Sequence, residues 1–268
     1  MHSIIIPHRN RSKLLALCLW SIERSARECR NDDYEIIVSD QGSDRLPPLL
    51  SKARLIRDSS PLSRFQTKDG SKEFFCKGRA VNRGIEAAEG DVLTFLDADA
   101  VAGRRWISGA EWLRDHPEVT RLCYRVRMVH ETSLDDVDAW FAQYDALPLA
   151  FEGYCAPEIA ATGCGNSNLV FGNSQFSIRR DVLGDVRCDE RYIGAGYEDL
   201  QFIRAIWRRA GENYKGVIRT EADEALLHIF STREPDWHDA EVNRANRMRY
   251  LRDDDRTCLH PANNGPSR

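Results

Sequence analysis

The sequence is poor in lysine and has no long apolar run. Only six of its 38 basic residues are Lys, so 32 are Arg. A bias in composition explains most of them, although guanidinium groups also suit bidentate contacts with phosphate. The formal net charge of −4 lacks the positive excess of nucleic-acid-binding proteins, so we expect no nucleic-acid partner. No apolar stretch approaches the about 18 residues of a membrane-spanning helix.

The sequence also has no apolar N-terminal segment of signal-peptide length and no closely spaced pair of cysteines. The N-terminal apolar run extends only from Ile4 to Ile6 before Pro7, which is too short for a signal peptide. The eight cysteines include no Cys-x-x-Cys pair, so structural zinc is not expected. We therefore expect reduced thiols and a cytoplasmic protein. Peripheral membrane contact through the Arg-rich segment 240–251 is left open.

Two closely spaced carboxylates follow the central apolar run of the first half. Val92 to Leu96 is too short for a helix and predicts a buried strand. Asp97 and Asp99 come directly after it, separated by Ala98. Hard oxygen ligands at a strand end suit Mg²⁺ or Mn²⁺ and the phosphates that such ions neutralise. The alternative is that these two residues cap a following turn or helix.

The first hundred residues alternate predicted strands and helices. Apolar runs predict strands at 3–6, 34–38 and 92–96, and helical spacing predicts helices at 12–22 and 77–88. This alternation predicts an α/β fold with a central, mostly parallel sheet flanked by helices. A polar loop follows each strand, and ligands bind at the carboxyl ends of strands in such sheets. The three loops therefore predict a nucleotide-sized site.

The rest of the chain is less regular. Helices are predicted at 106–116, 134–147, 197–210 and 240–251, strands at 122–129, 170–178 and 226–230, and loops at 59–72 and 151–168. No internal repeat or low-complexity linker divides the chain. We therefore predict one domain over residues 1–252, followed by a C-terminal tail at 253–268.

Four stretches carry motifs that occur in the same order in one family. They are Ser3 to Arg11, Glu35 to Asp44, Ala80 to Asp99, and Gly172 to Asp199. Together they resemble nucleotide-sugar glycosyltransferases with the Rossmann-like GT-A fold, of the family 2 type. The last stretch is similar to galactosyl- and N-acetylgalactosaminyltransferases. The resemblance implies a nucleotide-binding half at 1–100 and an acceptor-binding half at 101–252.

Two positions depart from the family pattern. Gln41 stands where family members often carry a second Asp, and Gly194-Ala-Gly-Tyr197 replaces the Gly-Trp-Gly-Gly of the animal galactosyltransferases. The second departure weakens any inference about the acceptor. It leaves the positions assigned to the donor and the metal intact.

The resemblance implies an enzyme that moves a hexose from a UDP-sugar to a saccharide or glycolipid acceptor, as in polysaccharide biosynthesis. It implies metal dependence and inversion at the anomeric carbon, while a retaining reaction stays open because the same fold serves both outcomes. A nucleotidyltransferase is disfavoured, because the first glycine is Gly42 and no Gly-rich loop follows the first strand. A non-catalytic binding module is disfavoured by the joint presence of the acidic motifs and His228.

The metal ligands are assigned by the same resemblance, for Mn²⁺ or Mg²⁺. Asp99 is the first ligand, and Asp97 contacts the metal through water or contacts the donor ribose. His228 follows Asp199 by 29 positions, similar to the late metal-binding His of these transferases, and imidazole with carboxylate suits Mn²⁺. The alternative for His228 is a core residue of the apolar strand around Leu227.

Catalysis is assigned to the start of the helix predicted at 197–210. Asp199 is expected to be the general base that takes the proton of the acceptor hydroxyl, and Glu198 is expected to hold a neighbouring hydroxyl. The alternative is that both carboxylates only cap the helix. The sequence alone does not decide which of the two is the base.

The remaining assignments concern the nucleotide-sugar. Asp40 is expected to contact the uracil or ribose, and its alternative role is an Asx-type turn. The other residues expected at the nucleotide-sugar are Pro7, Arg9, Arg11, Lys77, Asn82, Asp97 and Asn173.

Overall fold

A computed structural model describes residues 1–130, 137–147, 175–230 and 239–253. Its strands are β1 (His2–His8), β2 (Tyr34–Asp40), β3 (Ala53–Arg57), β4 (Ser63–Thr67), β5 (Gly70–Phe74), β6 (Val92–Phe95), β7 (Ala100–Ala102), β8 (Arg121–Tyr124), β9 (Val126–His130), β10 (Phe176–Arg179), β11 (Gly216–Arg219) and β12 (Leu226–Phe230). Its α-helices are α1 (Ser12–Cys29), α2 (Lys77–Ala87), α3 (Gly109–Asp115), α4 (Val137–Ala142), α5 (Arg180–Leu183), α6 (Glu198–Ala210) and α7 (Ala240–Arg252).

A seven-stranded sheet in the order β11-β8-β10-β6-β1-β2-β3 forms the centre of the fold. Strands β6, β1, β2 and β3 pair in parallel, as do β8 and β11, whereas β10 lies antiparallel between β6 and β8. The predicted α/β fold with a mostly parallel sheet is therefore confirmed. The carboxyl ends of β1, β2 and β6 meet at one edge, where the polar loops follow.

The apolar residues of β1 serve both faces of this sheet. Ile4 and Ile6 point into one core with Leu15 of α1, whereas Ile5 points into the opposite core with Val81 of α2. A continuous apolar run is required because helices cover both faces. Helix α2 packs closely on β1 at Gly84, where an added Cβ would lie 2.3 Å from Ile5 Cγ2.

The strand predicted over 122–129 is two strands in different sheets. β8 belongs to the central sheet, and β9 joins the smaller sheet β7-β12-β9. The change occurs at Arg125, whose N–H donates to Arg219 O while its carbonyl accepts from Leu226 N. Apolar alternation continues across this residue, so the pattern does not show the change of partner.

The segment predicted as a loop over 59–72 contains the β4–β5 hairpin. Its turn ends at Gly70, whose φ of +115° suits glycine, and the Asp69-Gly70 pair was the signal for it. Helix α1 begins at the predicted Ser12, whose hydroxyl donates to Arg45 O. The predicted loop 151–168 and the first part of the strand predicted at 170–178 lie outside the described residues.

The helices that are described include none with the length and apolarity needed to cross a membrane.

Candidate functional site

Asp99 and His228 come together from distant parts of the sequence. Strand β12 pairs antiparallel with β7, so His228 lies opposite Ala100, and Ile229 N donates to Asp99 O at 2.9 Å. The His228 Nδ1 atom consequently lies 3.4 Å from Asp99 Oδ1. Asp99 also forms an ion pair with Arg11, from the loop that follows β1. Three segments thus meet at one carboxylate.

Lys77 lies between Asp97, which is assigned to the donor, and Asp199, which is assigned as the general base. It is the first residue of α2, is buried, and lies with its Nζ 2.8 Å from Asp97 Oδ1 and 3.2 Å from Asp199 Oδ1. Burial alone would disfavour its charge, yet the carboxylates of Asp199 and Asp97 raise the pKa of the ammonium above its ordinary value. A lysine whose charged form is favoured therefore lies between Asp97 and Asp199.

Asp199 and Glu198 occupy the first turn of α6, as predicted. Both acids line a small cleft whose other residues are Lys77, Gly78, Val81, Phe95, Phe176, Cys188 and Phe202. Burial raises the pKa of Asp199 to about 8, with Glu198 and Asp97 adding to the shift and Lys77 opposing it. Burial likewise raises the pKa of Glu198, whose Oε2 has no hydrogen-bond partner among the described residues. The Asp199 side chain keeps 24% exposure, so a substrate hydroxyl can reach it.

Asp40 lies beneath the surface of the site. It is fully buried, and its Oδ1 lies 2.9 Å from His8 Nδ1 and accepts a bond from the Ser43 hydroxyl. Its Oδ2 accepts from Ser43 N at 3.0 Å. Burial opposes ionisation, but the bonds from His8 and Ser43 hold the pKa of Asp40 below its usual range. In this structure Asp40 orders the loop after β2, which is the turn alternative stated for it above.

Of the other residues assigned to the nucleotide-sugar, Arg9 and Pro7 lie in or directly after β1, and Asn82 lies in α2. Arg9 lies at the strand edge, where its Nη1 donates to Gln41 O at 2.7 Å, whereas Pro7 is buried within β1. Asn82 binds a neighbouring loop, donating to Cys188 O at 3.0 Å and accepting from Cys188 N at 2.9 Å. Asn173 lies outside the described residues.

The donor set suits a divalent cation in part. The carboxylate of Asp99 and the imidazole of His228 lie close together in space, and this pair of ligand types suits Mn²⁺. The described residues contain no group of three or more His, Cys, Asp or Glu side chains arranged to hold a metal. Arg11 and Lys77 meanwhile balance the charge of Asp99 and Asp97. Two protein ligands fit an ion that takes its other ligands from a bound phosphate.

Sequence reasoning missed the partners that order the site. The sequence analysis assigned His8 no role beside Asp40, although the parallel register of β1 and β2 places the two residues opposite each other. Gln175 donates from Nε2 to Asp97 Oδ2 at 3.4 Å, and no local pattern in the sequence indicates this contact. The bridging position of Lys77 likewise depends on tertiary packing.

Residues 3–121 match the family model described as glycosyl transferase family 2. This part of the chain resembles the family 2 glycosyltransferases. The predicted resemblance and its GT-A fold are thereby confirmed, although the matched region ends before α6. No curated protein matches the chain.

Solved structures with the same fold extend the comparison beyond the matched region. "Crystal structure of S. aureus TarS 1-349 in complex with UDP-GlcNAc" is 16% identical, with a TM-score of 0.57, over 92% of this chain and 65% of that one. "Crystal structure of S. aureus TarS" is 17% identical, with a TM-score of 0.55, over 93% of this chain and 39% of that one. This chain thus spans less than two thirds of each structure's length. At these identities the likeness establishes the fold.

Proposed function

We propose that this protein is a metal-dependent glycosyltransferase that moves a hexose from a UDP-sugar to a saccharide or glycolipid acceptor with inversion. The observation that carries the proposal is the contact of Lys77 with both Asp97 and Asp199. Through Lys77, Asp97 at the carboxyl end of the central strands is held close to Asp199, the acid proposed to accept the proton. The TarS structures in complex with UDP and UDP-GlcNAc support a UDP-sugar donor.

The proton of the acceptor goes to Asp199 in this proposal. A carboxylate whose pKa is raised to about 8 is a stronger base than an ordinary aspartate and suits catalysis near neutral pH. Glu198, which is buried beside it with Oε2 lacking a partner among the described residues, accepts a hydrogen bond from a neighbouring acceptor hydroxyl. The oxygen of the hydroxyl that Asp199 deprotonates attacks the anomeric carbon of the donor sugar, and UDP leaves from the opposite side of that carbon.

The leaving diphosphate is stabilised by cations. Arg11 and Lys77, which now pair with Asp99 and Asp97, are the side chains of this chain suited to contact its phosphates. Asp99 and His228, with Asp97 through water or the ribose, are the residues proposed to hold Mn²⁺ or Mg²⁺, which when bound supplies positive charge at the departing phosphate. Pro7 in β1, Asp40 at the end of β2 and Arg9 directly after β1 are the residues proposed to shape the nucleoside pocket.

We also propose domain limits and a location for this protein. We assign residues 1–252 to one catalytic domain with a nucleotide half at 1–100 and an acceptor half at 101–252, followed by a tail at 253–268. The proposed location is the cytoplasm, where the eight cysteines would stay reduced. Peripheral membrane contact would place the enzyme near a glycolipid acceptor.

Calorimetric titration of UDP with and without Mn²⁺ tests the proposal on the parent and on Asp99→Asn. We expect the parent to bind UDP more tightly with Mn²⁺, and the variant to lose that gain by about tenfold or more because it loses a charged ligand. Asp115→Asn, at the exposed end of α3, is the matched control and should behave as the parent. Equal metal-dependent affinity in parent and Asp99→Asn would contradict the ligand assignment.

Release of UDP from UDP-GlcNAc, with water as the acceptor, tests the base. Asp199→Asn should bind UDP as the parent does and lose most of the hydrolysis, because an amide cannot accept the proton. Turnover near the parent's rate would place the base elsewhere.

A further inference from the structure

Helix α7 binds the backbone segment that leads into the catalytic turn. Asn246 Nδ2 donates to Ile193 O at 2.9 Å and to Gly196 O at 3.0 Å. One turn earlier, Asn243 Nδ2 donates to Ala195 O at 3.2 Å. Three carbonyls of the segment 193–196 are thus bound by two asparagines of one helix, two residues before Glu198.

The conformation of this segment requires such support. Gly194, Gly196 and Tyr197 have φ values of +61°, +107° and +70°, and a positive φ is costly for a residue with a side chain such as Tyr197. A Cβ at Gly196 would lie 2.1 Å from Asn243 Nδ2. The close approach of α7 therefore depends on glycine at this position, and the helix in turn defines the path of the chain.

The same face of α7 packs against the start of α2. Val242, one turn before Asn246, lies in a buried cluster with Phe74, Cys76 and Ile193. Cys76 immediately precedes Lys77, and Gly194 N donates to Phe75 O at 2.8 Å. One helix face therefore contacts both the residues before Lys77 and the residues before Asp199.

We infer that Asn246 is a positioning residue that holds Asp199 in register with Lys77. It acts through the backbone of residues 193–196 and does not itself contact the substrate. The inference rests on the proposed function, in which Asp199 is the general base. Loss of the side-chain amide would leave the carbonyls of Ile193 and Gly196 without this donor and let the first turn of α6 shift relative to Lys77.

The test uses the whole chain, with UDP-GlcNAc hydrolysis and UDP titration as the two measurements. Asn246→Ala should lower kcat about tenfold, because small displacements of a reacting group are costly, while the dissociation constant of UDP stays within about twofold of the parent's. The midpoint of the kcat–pH profile should also move, since Lys77, Asp97 and Glu198 face Asp199 and their distances would change. Asn246→Gln keeps both N–H donors and should recover part of the rate.

Two further variants complete the design. Met248→Gln, on the exposed side of α7 with 50% exposure, is the matched control and should leave kcat and the pH profile unchanged. Asn243→Ala removes the bond to Ala195 and should give a smaller effect in the same direction. If Asn246→Ala fails to fold, the same measurements are made on Asn243→Ala.

Two outcomes would overturn the inference. In one, kcat and the pH midpoint equal the parent's in the folded variants. In the other, UDP affinity falls as much as kcat, which would mean that α7 only maintains the fold. Asp199→Asn measured in parallel separates this failure from failure of the proposed function. If Asp199→Asn is inactive and the Asn246 variants behave as the parent, only the positioning role is wrong.

Discussion

Lys77 shows how much one buried side chain contributes to this site. It is 6% exposed and is shared by two carboxylates from distant parts of the sequence. An ion pair in such a place is expensive to break, because the remaining charges are left buried without compensation. The side chain therefore supports folding and also sets the charge around the proposed base.

Replacement of Lys77 by Met should lower the free energy of unfolding by about 3 kcal/mol, the usual cost of removing one partner of a buried pair. Urea denaturation at pH 9, above the pKa of about 8 of Asp199, measures it with both carboxylates ionised. Lys52→Met is the control, because Lys52 pairs with Asp32 at the surface and should cost about 1 kcal/mol or less. Equal losses in the two variants would show that the Lys77 pair behaves as a surface pair.

Asp199 should make stability and activity respond to pH in opposite directions. Its pKa rises from an ordinary 3.8 to about 8 in the folded protein, so between these values the folded state binds more protons than the unfolded state. The contribution to stability is fully present below about pH 4 and is lost as pH rises towards about 8, with a slope of at most about 1.4 kcal/mol per pH unit. Hydrolysis of UDP-GlcNAc should rise over the same range, because the base must be ionised.

Urea denaturation and initial rates from pH 5 to 9 check both trends. In Asp199→Asn, the free energy of unfolding should lose the pH dependence that Asp199 contributes. The rate of hydrolysis should be low at every pH. A parent whose stability profile is unchanged by Asp199→Asn would contradict the raised pKa.

The same residues show how far sequence patterns reach. Asp97, Asp99 and Asp199 were assigned to strand or helix ends from short motifs, and the structure places them at such ends. The burial of Asp40 and the bridging position of Lys77 were not foreseen, because both depend on neighbours remote in sequence. His8, for example, lies 32 residues from Asp40. Local patterns locate polar residues at strand ends, but they do not distinguish those that face the ligand from those that order the loops.

At the level of elements, helix α2 depends on a glycine inside the helix. Gly84→Ala should lower the free energy of unfolding by about 1–3 kcal/mol, because the new Cβ would lie 2.3 Å from Ile5 Cγ2 in the centre of the sheet. The gain of about 1 kcal/mol in helix propensity does not offset this clash.

Chemical denaturation of Gly84→Ala beside Gly216→Ala measures the difference. At Gly216 the nearest atoms would lie 3.5 Å or more from an added Cβ, so we expect a change within about 0.5 kcal/mol. A Gly84→Ala variant as stable as the parent would mean that α2 can move away from β1 at little cost.

The elements themselves were largely predictable where periodicity is strong. Strands β1, β2 and β6 and helices α1, α2 and α6 follow from apolar runs and helical spacing. The strands β7 and β11 were missed because β7 is only Ala100-Val-Ala102, and β11 has only Val217 and Ile218 as apolar residues between Gly216 and Arg219. The change of sheet at Arg125 was missed because it is made by backbone partners, Arg219 and Leu226, which no local pattern records.

At the level of the whole molecule, the family match and the folded unit have different limits. The match ends at residue 121, yet both neighbours of β8 in the sheet, β10 and β11, come later in the chain. The core on the α2 face likewise takes Phe176, Phe202 and Ile206 from beyond that limit. Residues 3–121 therefore lack part of the sheet and one wall of a core.

A fragment of residues 1–121 should consequently fail to fold on its own. Without β10, strand β6 becomes an exposed edge, and the apolar residues Phe95 and Leu93 lose their cover. We expect circular dichroism of the fragment to show no cooperative thermal transition, whereas the full chain shows one. A cooperative transition in the fragment would mean that the nucleotide half is an independent domain. In that case the acids of α6 would be brought to a preformed site, instead of completing a site that the two halves build together.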